Sequence, residues 1–352
     1  MVRRVLLGRR DDLRRRSRWT GPPPLLLVAT VLGLIVAPFV ADDGPASVPQ
    51  ASQAAAISAA QTSRSVEPRV IRSTTLAKQG GQLGHRVAPV RLAPIGVGVA
   101  TMNMFRKLSP AEAAADARRL TSHPGVDVVA WQEADPFRTV LHHLPGWTSK
   151  TFGADQGAAE LAVSWRTSEF KLVTARLHKV ALGLSWREGR YPFDNRYVAV
   201  VRLRHRDTGR VLTVLNTHLP QKIEDLGDPG RWLSTINAIR ARAQLDRLAD
   251  IWRTVPGRWV VGTGDFNFGA RADARGRPVG GPMRTLRNRA ESTYQLLGTG
   301  VGPTHPPTAR NIDYVWLERT GLRDHLIQVR AQRVLSGYHS DHRPLLARLT
   351  LS

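Results

Sequence analysis

Short apolar runs bounded by polar or turn-forming residues recur from about Val90 to the C-terminus. They are too short for buried helices and rich in β-branched residues, so they predict strands. Two of the runs are joined by Asp207, Thr208 and Gly209, a turn sequence that predicts a β-hairpin. The predicted strands lie within residues 95–104, 126–133, 160–166, 170–180, 196–219, 258–267, 311–317, 324–334 and 344–351.

Helical periodicity is confined to a few segments between these runs. Ser109, Pro110 and Glu112 form a helix start signal, with a capping box and a proline in the first turn. A short helix is predicted to begin at Asp135. Strands interleaved with few helices predict an α/β or α+β domain in which helices cover sheets. A longer amphipathic helix is predicted within residues 232–252, with an apolar stripe of Leu233, Ile236, Ala243, Leu248 and Ile251.

The N-terminal part of the chain has a different texture. Residues 25–41 are almost continuously apolar and follow eight arginines within residues 1–18, which is typical of a signal peptide or signal anchor. A buried core helix is the alternative for this run. Residues 42–90 are rich in Ala, Ser and Pro and predict a linker. We therefore expect a catalytic domain over residues 91–352 that lies outside the cytoplasm, either secreted or anchored in the membrane by one N-terminal helix.

Composition narrows the chemistry of that domain. The chain has no cysteine, which excludes disulfides, thiolate metal sites and cysteine nucleophiles. Its formal net charge of +23 favours anionic partners, which are nucleic acid, anionic lipid or phosphorylated small molecules, although its arginine-rich usage is also typical of coding bias. The sequence carries no GxGxxG, GxxxxGK[ST], GxSxG or HExxH motif, so the corresponding nucleotide, acyl-transfer and zinc-protease functions lose support.

Polar side chains cluster where the predicted strands end, which is where layered α/β folds build their sites. Carboxylates, carboxamides and histidines without cysteine suit a hard cation such as Mg²⁺ or Mn²⁺. Because residues i and i+2 of an extended segment share a face, Asp265 and Asn267 are expected to face one pocket while Phe266 enters the core. Asn216 and His218 have the same spacing. In the pair of Asp265 and Asn267, the carboxylate can orient or deprotonate water and the amide can bind a phosphoryl oxygen.

Six short motifs occur in the order TMNM, WQE, NTHL, GDFN, IDYVW and SDHRP between Asn103 and Pro344. Each one is weak alone, but the ordered set resembles the endonuclease/exonuclease/phosphatase superfamily over about residues 95–352. That resemblance implies a DNase I-like α/β/β/α sandwich of two packed mixed β-sheets. It also implies metal-dependent hydrolysis of phosphoesters.

The resemblance also implies roles for the motif residues in metal and substrate binding. Glu133 would be the principal metal ligand, with Asn103 beside it holding metal or phosphate. Asp341 would complete the metal or water network. Arg196 falls where relatives place a phosphate-binding side chain, and Asn216 is predicted to bind substrate as well.

The remaining motif residues would be catalytic. His218 and Asn267 would contact the scissile phosphate, and Asp265 would orient or activate the attacking water. Asp313 would pair with His342, fixing its tautomer and favouring the imidazolium.

Three functions stay open at this level because the motifs do not choose a substrate. The first is a nuclease, for which the arginine-rich residues 269–310 would either follow the nucleic-acid backbone or form a solvated loop. The second is a sphingomyelinase-type lipid phosphodiesterase, for which residues 180–193 would form a membrane-dipping hairpin rather than an edge loop. The third is a catalytically inactive, membrane-anchored binding module. We expect a monomer in each case.

Overall fold

The computed structural model describes residues 93–153, 155–276 and 279–352. They form two packed, six-stranded mixed β-sheets with helices around them, which confirms the predicted α/β sandwich. The predicted anchor and linker fall within residues 1–90 and lie outside the described residues, so the domain boundaries stay predictions. Among the residues that the structure describes, no helix has the length and apolar character needed to cross a bilayer.

The first sheet contains one parallel pair at its centre and antiparallel strands on both sides. Its strand order is β11-β12-β1-β2-β4-β3, and β1 and β2 are the parallel pair. The strands are β1 (Ile95–Asn103), β2 (Val128–Gln132), β3 (Trp147–Thr151), β4 (Ala162–Arg166), β11 (Ile327–Val334) and β12 (Leu345–Leu351).

The second sheet has the same plan. Its strand order is β5-β6-β7-β8-β10-β9, and β7 and β8 are the parallel pair. The predicted hairpin joins β6 to β7, with Gly209 at a φ of 68° in its turn. The strands are β5 (Phe170–Ala181), β6 (Arg196–His205), β7 (Val211–His218), β8 (Val260–Asp265), β9 (Ala290–Ser292) and β10 (Asp313–Glu318).

Helices cover the outer faces of the two sheets. Helix α1 starts as predicted, because the Ser109 hydroxyl and the Glu112 carboxylate form a reciprocal capping box. Its buried side chains pack with Met102 and Trp131 of the first sheet. The helices are α1 (Pro110–Thr121), α2 (Arg138–His142), α3 (Gln156–Ala159), α4 (Ile236–Thr254), α5 (Ala270–Ala274), α6 (Pro282–Leu286), α7 (Thr293–Leu297) and α8 (Arg319–Arg323).

Helix α4 covers the second sheet, and its predicted apolar stripe is only partly correct. The helix starts only after its cap Thr235, so Leu233 precedes it, and Ile236 is 41% exposed. Ala243 is also exposed, but Leu248 is buried, and Leu233 and Ile251 are partly buried and pack against the core. The buried face ends at Trp252, which lies against Gly262 of β8. This face is formed by Ala238, Ala241, Gln244, Leu245, Leu248 and Trp252.

The two parallel pairs determine where a site can form. Strands β1 and β2 end together, at Asn103 and Gln132, and strands β7 and β8 end together, at His218 and Asp265. Strand β10 runs antiparallel to β8 and begins opposite Asp265, so its first residue lies at the same edge. Because the sheets are packed face to face, these strand ends meet at one end of the sandwich.

Candidate active site

A cavity of about 460 Å³ opens at this end of the sandwich, between the two sheets. Side chains from both sheets and from the loops that follow their strands form its walls. Eight of the ten residues predicted from the sequence line it, whereas Asp313 and Asn216 do not. The eight are Asn103, Glu133, Arg196, His218, Asp265, Asn267, Asp341 and His342.

Asp265 lies at the centre of the polar network, 1% exposed. Its Oδ2 accepts a hydrogen bond from Asn103 Nδ2 at 3.1 Å and lies 3.4 Å from His218 Nε2 and 3.7 Å from His342 Nε2. Burial raises the pKa of this carboxyl, but the two imidazoles outweigh it and hold the pKa well below its usual range. Asp265 is therefore ionised at neutral pH.

The glycine before Asp265 is required by close packing between strands. A Cβ on Gly264 would lie 2.1 Å from the carbonyl oxygen of Thr217 on β7, and its φ of 152° is one that other residues rarely adopt. Gly264 thus lets β8 approach β7 closely, which brings Asp265 beside His218.

Glu133 follows β2 with a φ of 54° and extends along the cavity wall. Its Oε2 accepts from the backbone amide of Arg106 at 2.9 Å, and the Arg106 guanidinium also lies against it. Its Oε1 is 3.4 Å from Asn103 Nδ2. The carboxamide of Asn103 therefore links the Glu133 and Asp265 carboxylates through one amide nitrogen.

The orientation of Asn103 does not fit its predicted role as a metal ligand. Its Oδ1 accepts a hydrogen bond from the Phe105 amide at 2.9 Å, so the side chain presents amide hydrogens to the carboxylates rather than oxygen to a cation. Of the three predicted metal ligands, Glu133 and Asp341 still offer oxygen atoms to a cation. Asp341 Oδ1 is buried without a hydrogen-bond partner. Two carboxylates, with water and substrate oxygens, fit Mg²⁺ or Mn²⁺.

His342 is held between buried carboxylates. Its Nδ1 lies 2.9 Å from Asp313 Oδ2, the pairing expected from the sequence. Burial lowers the pKa of His342, but the charges of Asp313 and Asp265 outweigh it and raise the pKa to about 10. Burial raises the pKa of Asp313 itself, although His342 beside it acts in the opposite direction. Asp313 lies behind His342, where it orients the ring without lining the cavity.

A second histidine–carboxylate pair involves Glu160, which the sequence reasoning missed. Glu160 precedes β4 and is 2% exposed. It forms ion pairs with Arg196, with His218 Nδ1 at 3.3 Å and with Arg106 at 3.2 Å. A carboxylate directly before the apolar run LAVSW was an available signal, because β4 runs antiparallel to β2 and so begins where β2 ends.

The charges of this Glu160 cluster stabilise one another. Burial raises the pKa of Glu160, but Arg196 and His218 outweigh it and lower the pKa to about 2. Burial lowers the pKa of His218, but Glu160 outweighs it and the pKa rises to about 9. At neutral pH, His218 is therefore an imidazolium that donates toward Glu160 and toward Asp265.

These shifts predict an acid limit to stability. The pKa of Glu160 lies below its unfolded value of 4.5, so its contribution is complete above that pH and is lost as the pH falls toward about 2. We expect the free energy of unfolding, measured with urea, to fall through this window. The fall should be shallower in Glu160→Gln, and an identical acid profile for both proteins would contradict the assigned ion pairs.

Arg196 lines the cavity as predicted, but its charge is already engaged. One guanidinium nitrogen pairs with Glu160, and the guanidinium carbon lies 5.2 Å from the centre of the Phe193 ring. Its Nε is buried without a hydrogen-bond partner. Phosphate binding by Arg196 stays a prediction, and the contacts seen make it a counter-charge for Glu160.

Asp265 and Asn267 both line the cavity, but strand alternation is not the reason. Strand β8 ends at Asp265, and Asn267 adopts a φ of 49° so that its backbone amide donates to Asp265 Oδ1 at 2.8 Å. Phe266 enters the core as predicted. One amide hydrogen of Asn267 bonds the Leu219 carbonyl at 3.0 Å. The same nitrogen lies 3.4 Å from His218 Nε2, which cannot accept a hydrogen bond when the ring is an imidazolium, so the second hydrogen is left for a ligand.

The turn that carries Asn267 is held by a buried ion pair outside the predicted set. Glu224, 3% exposed, accepts from the Gly269 amide at 2.8 Å and pairs with Arg310. Arg310 also donates to the Asn267 carbonyl at 3.1 Å. Of the described arginines in residues 269–310, Arg310 lines the cavity, and the segment is not one long loop because it contains α5, α6, β9 and α7.

Asn216 does not line the cavity, so the predicted substrate contact is wrong. It is fully buried between the sheets, where Nδ2 donates to the carbonyls of Trp131 and Ala162 and Oδ1 accepts from Gln132. It shares a strand face with His218, but two residues advance about 6.6 Å along a strand, which places Asn216 deeper in the sandwich. Its role is to join the two sheets.

Left-handed backbone conformations are concentrated around the cavity. Of the six non-glycine residues with positive φ in the described part of the chain, four line it. Such conformations are costly and persist where surrounding contacts impose them, which is common at functional sites. The four are Phe105, Glu133, Lys222 and Asn267.

Known structures share this architecture at low sequence identity. An endonuclease/exonuclease/phosphatase family protein from Bacteroides thetaiotaomicron is 15% identical, with a TM-score of 0.54 over 74% of this chain and all of that one. A protein of the same description from Bacteroides vulgatus is 16% identical, with a TM-score of 0.54 over 73% of this chain and all of that one. D. rerio TDP2 complexed with single-strand DNA product is 13% identical, with a TM-score of 0.51 over 72% and 98%.

No protein-family model matches the sequence, and no curated protein matches it. The structural similarity establishes the fold, which is the DNase I-like sandwich that the sequence motifs predicted.

Proposed function

We propose that this chain, which has the fold of endonuclease/exonuclease/phosphatase proteins, is a divalent-metal-dependent phosphodiesterase that acts as a nuclease outside the cytoplasm. One observation carries the proposal. The ionised Asp265, paired with two imidazoliums, shares a cavity with the carboxylates of Glu133 and Asp341. Such a cavity supplies separate positions for an attacking water, a phosphoryl group and a cation.

Each residue then has a defined task at the phosphate. Asp265 accepts a hydrogen bond from the attacking water and orients it, since its lowered pKa makes it a weak base. His218 and His342, both cationic, stabilise the charge that develops on the phosphoryl oxygens. Asn267 donates its free amide hydrogen to one of these oxygens. Glu133 and Asp341 would hold the cation, which supplies charge neutralisation at the phosphate and acidification of water.

The metal dependence leads to a direct prediction. In Glu133→Gln, half-maximal hydrolysis of bis-p-nitrophenyl phosphate should require at least about tenfold more Mg²⁺, because even outer-shell changes weaken metal sites about 10–100-fold. Activity should disappear with EDTA and return with Mg²⁺. The exposed Glu188, which does not line the cavity, provides the control variant Glu188→Gln. An unchanged Mg²⁺ requirement in Glu133→Gln would remove Glu133 from the metal site.

Nucleic acid is the substrate that the charge of the chain favours. The net charge of +23 attracts a polyanion, and the structurally similar D. rerio TDP2 is complexed with single-strand DNA. We expect the full-length chain to cleave DNA with Mg²⁺ at a rate that falls steeply with added salt, because phosphate contacts dominate nucleic-acid affinity. A cleavage rate independent of salt would contradict this choice of substrate.

An exposed apolar segment beside the cavity favours a second candidate, a lipid phosphodiesterase. Trp186 is 77% exposed and Leu182 is 66% exposed, and the same segment ends at Phe193 on the cavity wall. Turnover of sphingomyelin liposomes, lost in Trp186→Ser while DNA is not cleaved, would select this function. The extracytoplasmic location rests on the apolar run of residues 25–41.

A further inference from the structure

Two histidines and one aspartate form a compact group on one wall of the cavity. His305, Asp341 and His342 each offer a ligand atom, and these atoms lie within 4.8 Å of one another. The rings of His305 and His342 pack with their centres 4.7 Å apart, and His305 Nε2 lies 3.7 Å from Asp341 Oδ2. His305 belongs to none of the six motifs and has no role in the hydrolysis proposed above.

Each imidazole of the group has an outer hydrogen-bond partner at Nδ1. His305 Nδ1 bonds Thr308 Oγ1 at 2.7 Å, and His342 Nδ1 bonds Asp313 Oδ2 at 2.9 Å. Nδ1 is therefore held by an outer partner in both rings. His305 Nε2 lies beside Asp341, and His342 Nε2, which is 3.7 Å from Asp265 Oδ2, is the nitrogen that the pairing with Asp313 leaves for a metal ion. Asp341 Oδ1 is buried without a hydrogen-bond partner. Histidine ligands in metal sites are characteristically fixed through their second nitrogen in this way.

We propose that His305, Asp341 and His342 bind a divalent transition-metal ion such as Zn²⁺ or Co²⁺. Two imidazole nitrogens and one carboxylate match the ligand preference of these ions, whereas Mg²⁺ prefers carboxylate, carbonyl and water oxygens. The site is thus distinct in chemistry from the oxygen donors of Glu133, although the two share Asp341. Three protein ligands leave a coordination position open toward the cavity.

Binding at this site inhibits the hydrolase. The ion coordinates His342 Nε2, which removes that nitrogen from the phosphate, and any proton held there passes to solvent. It also engages Asp341, which the hydrolytic cation uses. Zn²⁺ therefore reduces phosphodiester hydrolysis at saturating Mg²⁺.

The test is a Co²⁺ titration of the full-length chain, freed of metal by a chelator and then kept in excess Mg²⁺. Visible absorption bands of Co²⁺ bound to nitrogen and oxygen ligands should appear and saturate at one equivalent. They should be absent in His305→Gln and unchanged in His178→Gln, which alters a histidine of β5 outside the cavity. Thr308→Val, which removes the partner of His305 Nδ1, should weaken binding about 10–100-fold.

The outcomes separate this proposal from the proposed hydrolase function, because the absorption bands require no catalysis. Bands that persist in His305→Gln, or that fail to form in the wild type in excess Mg²⁺, would each overturn the transition-metal site. If circular dichroism shows that His305→Gln is misfolded, the Co²⁺ affinity of Thr308→Val is compared with that of the wild type instead. Equal Co²⁺ affinity in Thr308→Val and the wild type then overturns the proposal.

Discussion

Asp265→Asn is expected to lower kcat for bis-p-nitrophenyl phosphate by about 10²- to 10⁴-fold, the usual contribution of a positioned proton-accepting group. Asparagine keeps the size of the side chain and one oxygen, but it presents an amide where the water requires an acceptor. It also removes the negative charge between His218 and His342. KM should change little by comparison, because the loss falls on the transition state.

The control is a surface aspartate of the same chemistry. Asp250→Asn removes a carboxylate whose side chain is 71% exposed and whose one ion pair, with Arg253, is also exposed. This variant should keep wild-type kcat. Equal rates in Asp265→Asn and Asp250→Asn would exclude Asp265 from the chemistry.

Glu160→Gln is expected to destabilise the fold by about 3–5 kcal/mol, the usual cost of removing one partner from a buried ion pair. The substitution leaves Arg196 and His218, both at most 7% exposed, without their shared carboxylate. The loss should appear in the free energy of unfolding measured with urea at neutral pH. The pKa of His218 should also fall from about 9, because Glu160 is the main cause that raises it.

A surface ion pair separates burial from charge. Asp250→Asn removes a carboxylate whose side chain is 71% exposed and lies 3.5 Å from Arg253, whose side chain is 59% exposed. Exposed pairs contribute about 0–1 kcal/mol, so this variant should retain nearly all of the wild-type stability. If both substitutions lower the free energy of unfolding equally, burial does not make the Glu160 cluster more stabilising than a surface ion pair.

The sheets were predictable because their signals are local. The run of β2, for example, is apolar up to its last residue and begins with two valines, and the α1 capping box consists of Ser109 and Glu112. Strand β3, an edge strand with exposed polar positions in its middle, carries no such signal and was not predicted. The stripe of α4 was predicted only in part, because its buried face includes the polar Gln244 while the apolar Ile236 is exposed.

The site also contains residues that the sequence predicts and residues that it does not. Motif residues at strand ends could be placed on one edge, because parallel strands end together. The sequence does not show how far the cavity extends along a strand. Asn216 was therefore grouped with His218, although it lies two residues further from the strand end and is buried between the sheets. Glu160, Glu224 and Arg310 act through ion pairs between distant segments, and no local pattern identifies such partners.

The most direct test of the account is cleavage of supercoiled plasmid DNA by the full-length chain, with Mg²⁺ and with EDTA, beside Asp265→Asn. We predict nicking that requires Mg²⁺ and is reduced at least about 10²-fold in the variant. Folded wild-type protein that cleaves neither DNA, RNA nor bis-p-nitrophenyl phosphate at any Mg²⁺ concentration would contradict the account and favour a non-catalytic binding module.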